Sequence, residues 1–151
     1  MLDIKQYTDS CSSDSVLSMV NIDGYPVPSL QFEVKVNDLI KSSGQVVSLL
    51  FPQWSANELF FIQCTNGLTN KLVKVTHAPT SYNILVRIYG KGTEIMIDRR
   101  QEIRVFIILI KNIIYLSNLG VCPGIYGIFE NGMVYGYTKG DIFTQSGILI
   151  I

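Results

Sequence analysis

The sequence has little charge and no excess of either sign. Its 151 residues include 12 lysines and arginines against 12 aspartates and glutamates, and only 16% of the residues are charged. A protein that binds nucleic acid through phosphate contacts usually carries a broad basic surface. Because this chain has no excess of positive charge, nucleic acid is a poor candidate partner.

Histidine and cysteine, which build many nucleophilic and metal sites, are also scarce. The single histidine, His77, lies beside a proline turn, so a Ser-His-Asp or Cys-His system has little to build on. The three cysteines, Cys11, Cys64 and Cys122, are far apart and lack metal-ligand spacing. Their odd number does not suggest a disulfide framework, and a reducing, cytoplasmic location fits the chain best.

Long uninterrupted apolar runs are missing as well. The amino terminus has no apolar core of the kind found in signal peptides. The most apolar stretch, residues 103–116, contains Arg104 and Lys111 and is shorter than the roughly 18 apolar residues of a membrane helix. A buried helix is the preferred interpretation, and we predict no transmembrane segment.

The first third of the chain combines sequence patterns that are typical of different kinds of local structure. Residues 1–30 are rich in serine and aspartate, contain Pro26 and Pro28, and show no periodicity, so we predict a flexible leader. Residues 31–36 alternate apolar and polar, which suits a short strand or an extended arm. Residues 38–51 contain two helix-like apolar clusters interrupted near residues 42–44, and the proline that follows ends the second cluster.

Three segments rich in β-branched and aromatic residues come next, separated by turn residues. They cover residues 59–62, 72–75 and 84–89 and are typical of antiparallel strands. Thr93 suits the N-cap of a helix over residues 95–110, and Asn131-Gly132 is expected to join two further strands. A chain of this length forms one domain at most. The pattern predicts an α+β fold with an antiparallel five-stranded sheet and one packed helix.

The turn between the first two of these strands has the composition of an anion site. Asn66 and Gly67 permit positive φ and close backbone approach, while Thr69 and Asn70 add short hydrogen-bonding side chains. Free N–H groups in such a turn could bind an anion, and Arg87 on a neighbouring strand supplies a permanent positive charge. An ordinary structural turn beside a solvent-facing arginine explains the same pattern, so the residues alone leave both interpretations open.

Three motifs occur in a fixed order between residues 32 and 140. They are CTNGLTNKL from Cys64, ILVRIYGKGTEIMIDRRQEI from Ile84 and IYGIFENGMVYGYTKG from Ile125. Together they resemble the amino-terminal lobe of the choline and ethanolamine kinases, and most closely that of the ethanolamine kinases. The resemblance implies a protein-kinase-like small lobe over residues 31–140 that binds ATP. It also implies that ethanolamine is phosphorylated to phosphoethanolamine for phosphatidylethanolamine synthesis.

The resemblance assigns roles to the residues of the turn and the strand. The turn matches the loop that covers the nucleotide, so Asn66, Gly67, Thr69 and Asn70 would lie against the ATP phosphates. Arg87 matches the strand arginine that contacts the α and β phosphates, a role that suits its planar, permanently charged side chain.

A carboxylate on the following helix is expected to hold this arginine in place. Glu102 is predicted to have this role, with Glu94 as the alternative. The strand that follows Asn131-Gly132 would lead to the adenine, where the family usually has Glu or Gln at the position of Gly136. This difference leaves the polar contact to adenine unassigned.

The motifs of the family's carboxy-terminal lobe do not occur in the sequence. That lobe supplies the catalytic base and the metal ligands through H-x-D-x-x-x-x-N and I-D-x-E motifs, neither of which is present here. We therefore assign no catalytic residue to this chain and expect the Mg²⁺ ligands in the absent lobe. Residues 141–151 are interpreted as the truncated start of the interlobe linker, and the chain as a fragment of an ethanolamine kinase that is inactive alone.

Two alternatives for the function remain open at this point. One is a choline kinase, and the other is a non-catalytic module that binds nucleotide or docks on another protein. A homodimer is possible for the full-length enzyme. Residues 111–118 exceed what the family helix requires, and both a lineage-specific helix extension and translated non-coding sequence would explain them.

Overall fold

One mixed sheet organises the chain. The computed structural model describes residues 17–64, 70–89 and 99–139, without the side chains of residues 70 and 99–106. The strands are β1 Leu17–Ile22, β2 Tyr25–Leu30, β3 Leu59–Cys64, β4 Asn70–His77, β5 Tyr82–Tyr89, β6 Ile125–Phe129 and β7 Gly132–Gly136. They lie in the order β1-β2-β6-β7-β5-β4-β3, and all neighbours are antiparallel except β2 and β6. The two α-helices are α1 Leu39–Leu50 and α2 Arg99–Asn118.

The predicted α+β class is confirmed, but the prediction of a five-stranded antiparallel sheet with one helix is wrong. The sheet has seven strands, and the β2–β6 pair is parallel. The two additional strands come from residues 17–30, which were assigned to a flexible leader, and the second helix comes from residues 39–50. Of the two alternatives for residues 31–36, a short strand or an extended arm, the structure shows the arm, because β2 ends at Leu30.

The β1–β2 hairpin turns at Asp23 and Gly24, whose φ angles are 51° and 89°. The backbone N–H of Gly24 donates to Oδ1 of Asn21 at 2.8 Å, which closes the turn. Pro26 and Pro28 made this segment look unfavourable for a strand, because proline cannot donate to a ladder. On its other side, β2 pairs with β6 only at its last two residues, so the prolines remove few hydrogen bonds from the sheet.

Helix α1 is continuous, so the predicted interruption near residues 42–44 is wrong. Ser42 and Ser43 are buried rather than exposed in a turn. The hydroxyl of Ser48 donates to the carbonyl of Gly44 at 2.9 Å, and a Cβ at position 44 would lie 3.4 Å from the Phe61 ring. The helix stops directly before Phe51 and Pro52, as the proline predicted.

Helix α2 extends past residue 110 to Asn118, so residues 111–118 are helical. Ile113 and Ile114 pack against buried residues on the sheet, and Sγ of Cys122 donates to the carbonyl of Ile113 at 3.5 Å. Within the residues that the structure describes, neither helix is long and apolar enough to cross a membrane.

The two helices cover opposite faces of the sheet. Strand β5 shows this by its alternation, since Ile84, Val86 and Ile88 are fully buried on the α1 face. The main core on that face contains Leu30, Val34, Leu39, Val46, Val47, Phe51, Trp54, Leu59, Val73, Val75, Ile84, Val86, Ile88, Phe129 and Val134. A second cluster on the α2 face contains Ile22, Val27, Ile110 and Met133.

Asn131 fastens the extended arm to the sheet. Its side chain accepts from the backbone N–H of Val34 at 2.9 Å and donates to the Val34 carbonyl at 2.8 Å. The backbone N–H of Glu130 also donates to the carbonyl of Phe32 at 3.1 Å. The predicted Asn-Gly turn therefore also serves as an additional pairing partner for residues 32–34, which a local hairpin signal does not reveal.

Candidate functional site

Arg87 occupies a central place in the sheet. It lies on β5 between Val86 and Ile88, so it points to the face opposite α1. In the register it pairs with Leu72 on β4 and Met133 on β7, and Leu72 pairs in turn with Cys64. Cys64 directly precedes residues 65–69, and its Cα is expected about 10 Å from that of Arg87 because adjacent strands are separated by about 4.8 Å.

Two tyrosines surround the guanidinium group. The Cζ atom of Arg87 lies 5.4 Å from the centroid of the Tyr89 ring, within the range of a cation–π contact. Tyr135 lies diagonally across from Arg87 on β7, since its own partner is Leu85. Long side chains can meet across such a diagonal.

The tyrosines do not neutralise the arginine. Burial raises the pKa of Tyr89 to about 12, against the opposing positive charge of Arg87. Burial likewise raises the pKa of Tyr135, while the charge of Arg87 and a side-chain hydrogen bond from it act in the opposite direction. Both phenols are therefore neutral at pH 7, so neither offsets the permanent positive charge of an arginine side chain. Its buried Nε has no hydrogen-bond partner among the described residues, which leaves a donor for a ligand.

An apolar surface adjoins Arg87 on the same face of the sheet. Phe60 and Ile62 on β3 are 61% and 58% exposed, and the register places both on the face that carries Arg87. Leu85 is half-buried on β5 and is separated from Ile62 by Lys74 of β4, whose Nζ lies 4.4 Å from the centroid of the Tyr137 ring. A surface that combines exposed apolar side chains with two cations can accept a ligand that has both a ring and an anionic group.

The predicted phosphate-binding turn falls largely outside the described residues. Asn66, Gly67 and Thr69 belong to residues 65–69, which the structure does not describe, so their role stays a prediction. Asn70 is the first residue of β4, and its backbone pairs with Tyr89. The turn thus connects β3 to β4 at the end of the sheet nearest Arg87.

The backbone of Glu102 lies in the first half of α2, and its side chain is outside the described part. Helical periodicity puts position 102 on the same stripe as Leu109 and Ile113, which lie seven and eleven residues later. Those two residues pack against the cluster on the sheet. The pairing of Glu102 with Arg87 remains a prediction, and the competing Glu94 lies outside the described residues.

Sequence reasoning missed the two tyrosines around Arg87. Tyr89 could have been found from the period of two along a strand, which puts residues 87 and 89 on one face. Tyr135 required the register between β5 and β7, which are separated in the sequence by α2.

The close approach of Pro123 explains why position 136 is occupied by glycine. A Cβ at this position would lie 2.5 Å from Cβ of Pro123, which is closer than two non-bonded carbon atoms can approach. The N–H of Gly136 donates to the carbonyl of Gly124 at 3.0 Å, which holds the two segments together. The larger residue expected from the resemblance cannot be accommodated here without moving Pro123.

Comparison with known proteins identifies the family. The sequence model of the family described as choline/ethanolamine kinase matches residues 61–149, which is more than half of the chain. The chain belongs to the choline/ethanolamine kinase family. This confirms the resemblance carried by the three motifs.

Relatives from distant organisms agree with this assignment. The chain is 35% identical over 118 residues to a probable ethanolamine kinase of Nematostella vectensis, covering 77% of this chain and 32% of the relative. It is 32% identical over 119 residues to ethanolamine kinase 1 of Homo sapiens, covering 76% of this chain and 25% of the relative. The chain therefore spans about a third or less of the length of these relatives.

Solved structures show the same kinase-like fold. An ethanolamine kinase of Plasmodium vivax matches with a TM-score of 0.57 at 25% identity, covering 76% of this chain and 29% of that chain. A choline kinase of Cryptosporidium parvum matches with a TM-score of 0.54 at 25% identity, covering 74% of this chain and 30% of that chain.

The Mg²⁺ site remains a prediction. Within the described parts of the chain, no group of three or more His, Cys, Asp or Glu side chains could hold a metal ion. The described residues thus present a cation and an apolar surface to a ligand, but no metal ligands or catalytic base that we can assign.

Proposed function

We propose that this chain is the ATP-binding part of an ethanolamine kinase. ATP would lie on the sheet face that carries Arg87, with its phosphates near the turn of residues 65–70 and its adenine against the apolar side chains of Phe60, Ile62 and Leu85. ATP is the phosphoryl donor in this proposal, and ethanolamine is the acceptor. A kinase that acts on these two small molecules would work in the cytoplasm.

The observation that carries the proposal is the environment of Arg87. The guanidinium lies beside two tyrosines that are neutral at pH 7, and its buried Nε has no partner among the described residues. A buried donor without a partner is costly, so such a group is expected to serve a ligand. The planar fork of arginine matches the oxygen atoms of a phosphate group.

The reaction would need residues beyond those found in this chain. Phosphoryl transfer requires metal ions on the phosphates and a base near the accepting hydroxyl. In our proposal the chain binds and orients ATP, and the remaining two thirds of a relative-sized protein would supply the Mg²⁺ ligands, the base and the amine pocket. A choline kinase is the alternative, since one of the structural relatives is named as such.

Substitution of Arg87 by Ala is expected to weaken ATP binding by about tenfold or more, because hydrogen bonds to a charged group are worth about 1.5 to 3 kcal/mol. We would titrate the 151-residue chain with MgATP and follow backbone amide shifts by NMR, which measures even weak binding. Shifts are expected at Leu72, Arg87 and Tyr135.

Two further variants serve as controls for charge and geometry. Arg87→Lys keeps the charge but loses the fork, so it should recover only part of the affinity. Lys74→Ala removes another cation from the same face of the sheet and should have a smaller effect. Equal losses for Arg87→Ala and Lys74→Ala would indicate non-specific attraction and would contradict a site built around Arg87.

Incubation of the chain alone with MgATP and either amine is expected to give no phosphorylated product. The reason is that no catalytic base or metal ligand set has been assigned to it. Mass spectrometry of the small-molecule fraction checks this with ethanolamine and choline in parallel. Formation of phosphoethanolamine would show that the chain contains its own base, which would contradict this division of roles.

A further inference from the structure

A groove lies between helix α1 and the edge strand β3, on the sheet face opposite Arg87. Its volume is about 640 Å³, within the range of cavities that hold small-molecule ligands. Phe61 of β3 belongs to this face because it pairs with Val75, a buried residue of the core beneath α1. The apolar side chains that line the groove are Phe32, Ile40, Leu49, Ala56, Leu59 and Phe61.

The space in the groove depends on Gly44 in the middle of α1. A glycine inside a helix is unfavourable, since it loses more backbone freedom on folding than other residues do. Gly44 lines the groove, and a Cβ at this position would lie 3.4 Å from Cζ of Phe61. A larger side chain would extend into the space between the helix and β3. The glycine therefore keeps the groove open, although it weakens the helix.

A polar cavity of about 470 Å³ adjoins the groove. The two share Phe32, Lys41 and Gln45 as lining residues, so they meet along these side chains. The polar cavity is formed mainly by the extended arm and the first half of α1. Its ionisable side chains carry both signs of charge and belong to Glu33, Lys35, Asp38, Lys41 and Glu130.

The charges change in a definite order from the groove outward. Lys41 lies at the boundary, and its Nζ is 4.0 Å from Oδ2 of Asp38, at the limit of an ion pair between two exposed side chains. Such a pair is weak in water, so the ammonium of Lys41 can also bind an anion. The rest of the polar cavity has three carboxylates against one lysine, Lys35. The lining is thus first apolar, then cationic, then predominantly anionic.

We propose that these two cavities bind a single-chain zwitterionic phospholipid, a lysophospholipid. The acyl chain lies in the groove between Ile40 and Phe61. The phosphate follows at the boundary beside Lys41 and Gln45, and the terminal ammonium group reaches the carboxylates of the polar cavity. A purely anionic amphiphile would match only the lysine, and a purely cationic one would meet that lysine first. The proposal is independent of the nucleotide site, because Arg87 lies on the other face of the sheet.

Titration with three amphiphiles that share a decyl chain tests this order of charges. Decylphosphocholine has the proposed kind of headgroup, decyl sulfate carries only an anion and decyltrimethylammonium carries only a cation. Each is added below its critical micelle concentration to the 151-residue chain, and the amide shifts of Gly44, Gln45 and Phe61 are followed by NMR. We expect decylphosphocholine to bind about fivefold tighter than the other two, the size of one exposed ionic contact. Equal affinities would indicate an adventitious additive only and would overturn the inference.

Substitution of Gly44 checks that the acyl chain occupies the groove. Gly44→Leu fills the space and should weaken decylphosphocholine binding by about tenfold, the effect of exposing roughly two CH₂ groups. The substitution raises the helix propensity of α1, so we expect the variant to fold, and far-UV circular dichroism checks this. Gly44→Ala is the matched control, since it gives the same benefit to the helix but leaves most of the groove open. Equal affinities of the two variants would contradict a chain in the groove.

Substitution of Lys41 checks the position of the phosphate. Lys41→Glu reverses the charge at the boundary, so decyltrimethylammonium should now bind tighter than decylphosphocholine. An unchanged order of the two affinities would overturn the assigned place of the headgroup. Gly44→Leu should leave MgATP binding unaltered, so a failure of this inference can be distinguished from a failure of the proposed function.

Two other occupants of the groove would give different results. If a second copy of the chain covers it, the amide shifts of Gly44 and Phe61 depend on protein concentration without any amphiphile. If the surface binds whole membranes instead, the chain sediments with phosphatidylcholine vesicles equally well before and after Gly44→Leu. Either result would overturn a site for a single lysophospholipid molecule.

Discussion

Substitution of Trp54 by Ala is expected to lower the free energy of unfolding by about 3 to 5 kcal/mol, the usual cost of removing a large buried aromatic side chain. The indole ring is stacked between two others. Its centroid lies 4.3 Å from that of Phe51 with an interplanar angle of 10°, and 4.6 Å from that of His77 with an angle of 5°. Only 9% of the residue is exposed.

The size of this effect follows from the position of Trp54 between helix α1 and strand β4. Phe51 caps the end of α1, and His77 is the last residue of β4, so the indole connects the helix to the sheet. His77 is buried and is held by Thr80, whose Oγ1 lies 2.7 Å from Nδ1. Without the indole, the imidazole and the phenyl ring would both face a cavity that neither can fill without leaving its place.

Chemical denaturation followed by far-UV circular dichroism measures this loss, since the variant lacks the only tryptophan for fluorescence. Phe60→Ala is the matched control, because that aromatic ring is 61% exposed and its removal should cost about 0.5 kcal/mol or less. A Trp54→Ala variant as stable as Phe60→Ala would mean that the stacked rings do not hold α1 on the sheet.

The sequence predicted β3 to β7 from local patterns, but it missed the β1–β2 hairpin. The run of β-branched and aromatic residues from Ile84 to Tyr89 identified β5, the strand that carries Arg87. The Asn131-Gly132 turn identified the β6–β7 hairpin in the same way. Both signals are local, since each depends on residues that are close together in the sequence.

Elements that depend on distant contacts could not be predicted. The parallel pairing of Ser29 with Ile128 joins residues that are far apart in the sequence, and no local pattern encodes it. The continuity of α1 through Ser42 and Ser43 depends on their burial against the sheet, which overrides their weak helix propensity. In both cases tertiary packing outweighs local preference.

The same distinction between local signals and distant contacts applies to the residues of the candidate site. Arg87 could be placed from its strand and from the family resemblance, while the position of Tyr135 beside it depends on the β5–β7 register. The roles of Asn66, Gly67, Thr69 and Glu102 still rest on the resemblance. These residues are best tested through their effect on nucleotide binding.

Substitution of Gly132 by Ala is expected to cost about 3 kcal/mol, at the upper end of the range for overpacking, because the new methyl group has no room. A Cβ at this position would lie 2.2 Å from the carbonyl oxygen of Arg87 and 2.3 Å from Cζ of Phe129. The carbonyl oxygen belongs to the backbone, so it can move only if β5 and β7 separate. The substitution should therefore also displace Arg87 and weaken MgATP binding, when this is measured at a temperature where the variant is still folded.

Gly127→Ala on the adjacent strand provides the matched comparison. A Cβ there would lie 2.6 Å from Cδ2 of Leu50, which is the end of a flexible side chain. Leu50 can change rotamer, so we expect a clearly smaller loss of stability and no change in MgATP affinity. Thermal unfolding of both variants, together with the amide shift of Arg87, separates the two cases. If Gly132→Ala were as mild as Gly127→Ala, the strands β5 and β7 could separate at little cost, and a rigid placement of Arg87 by the sheet would be contradicted.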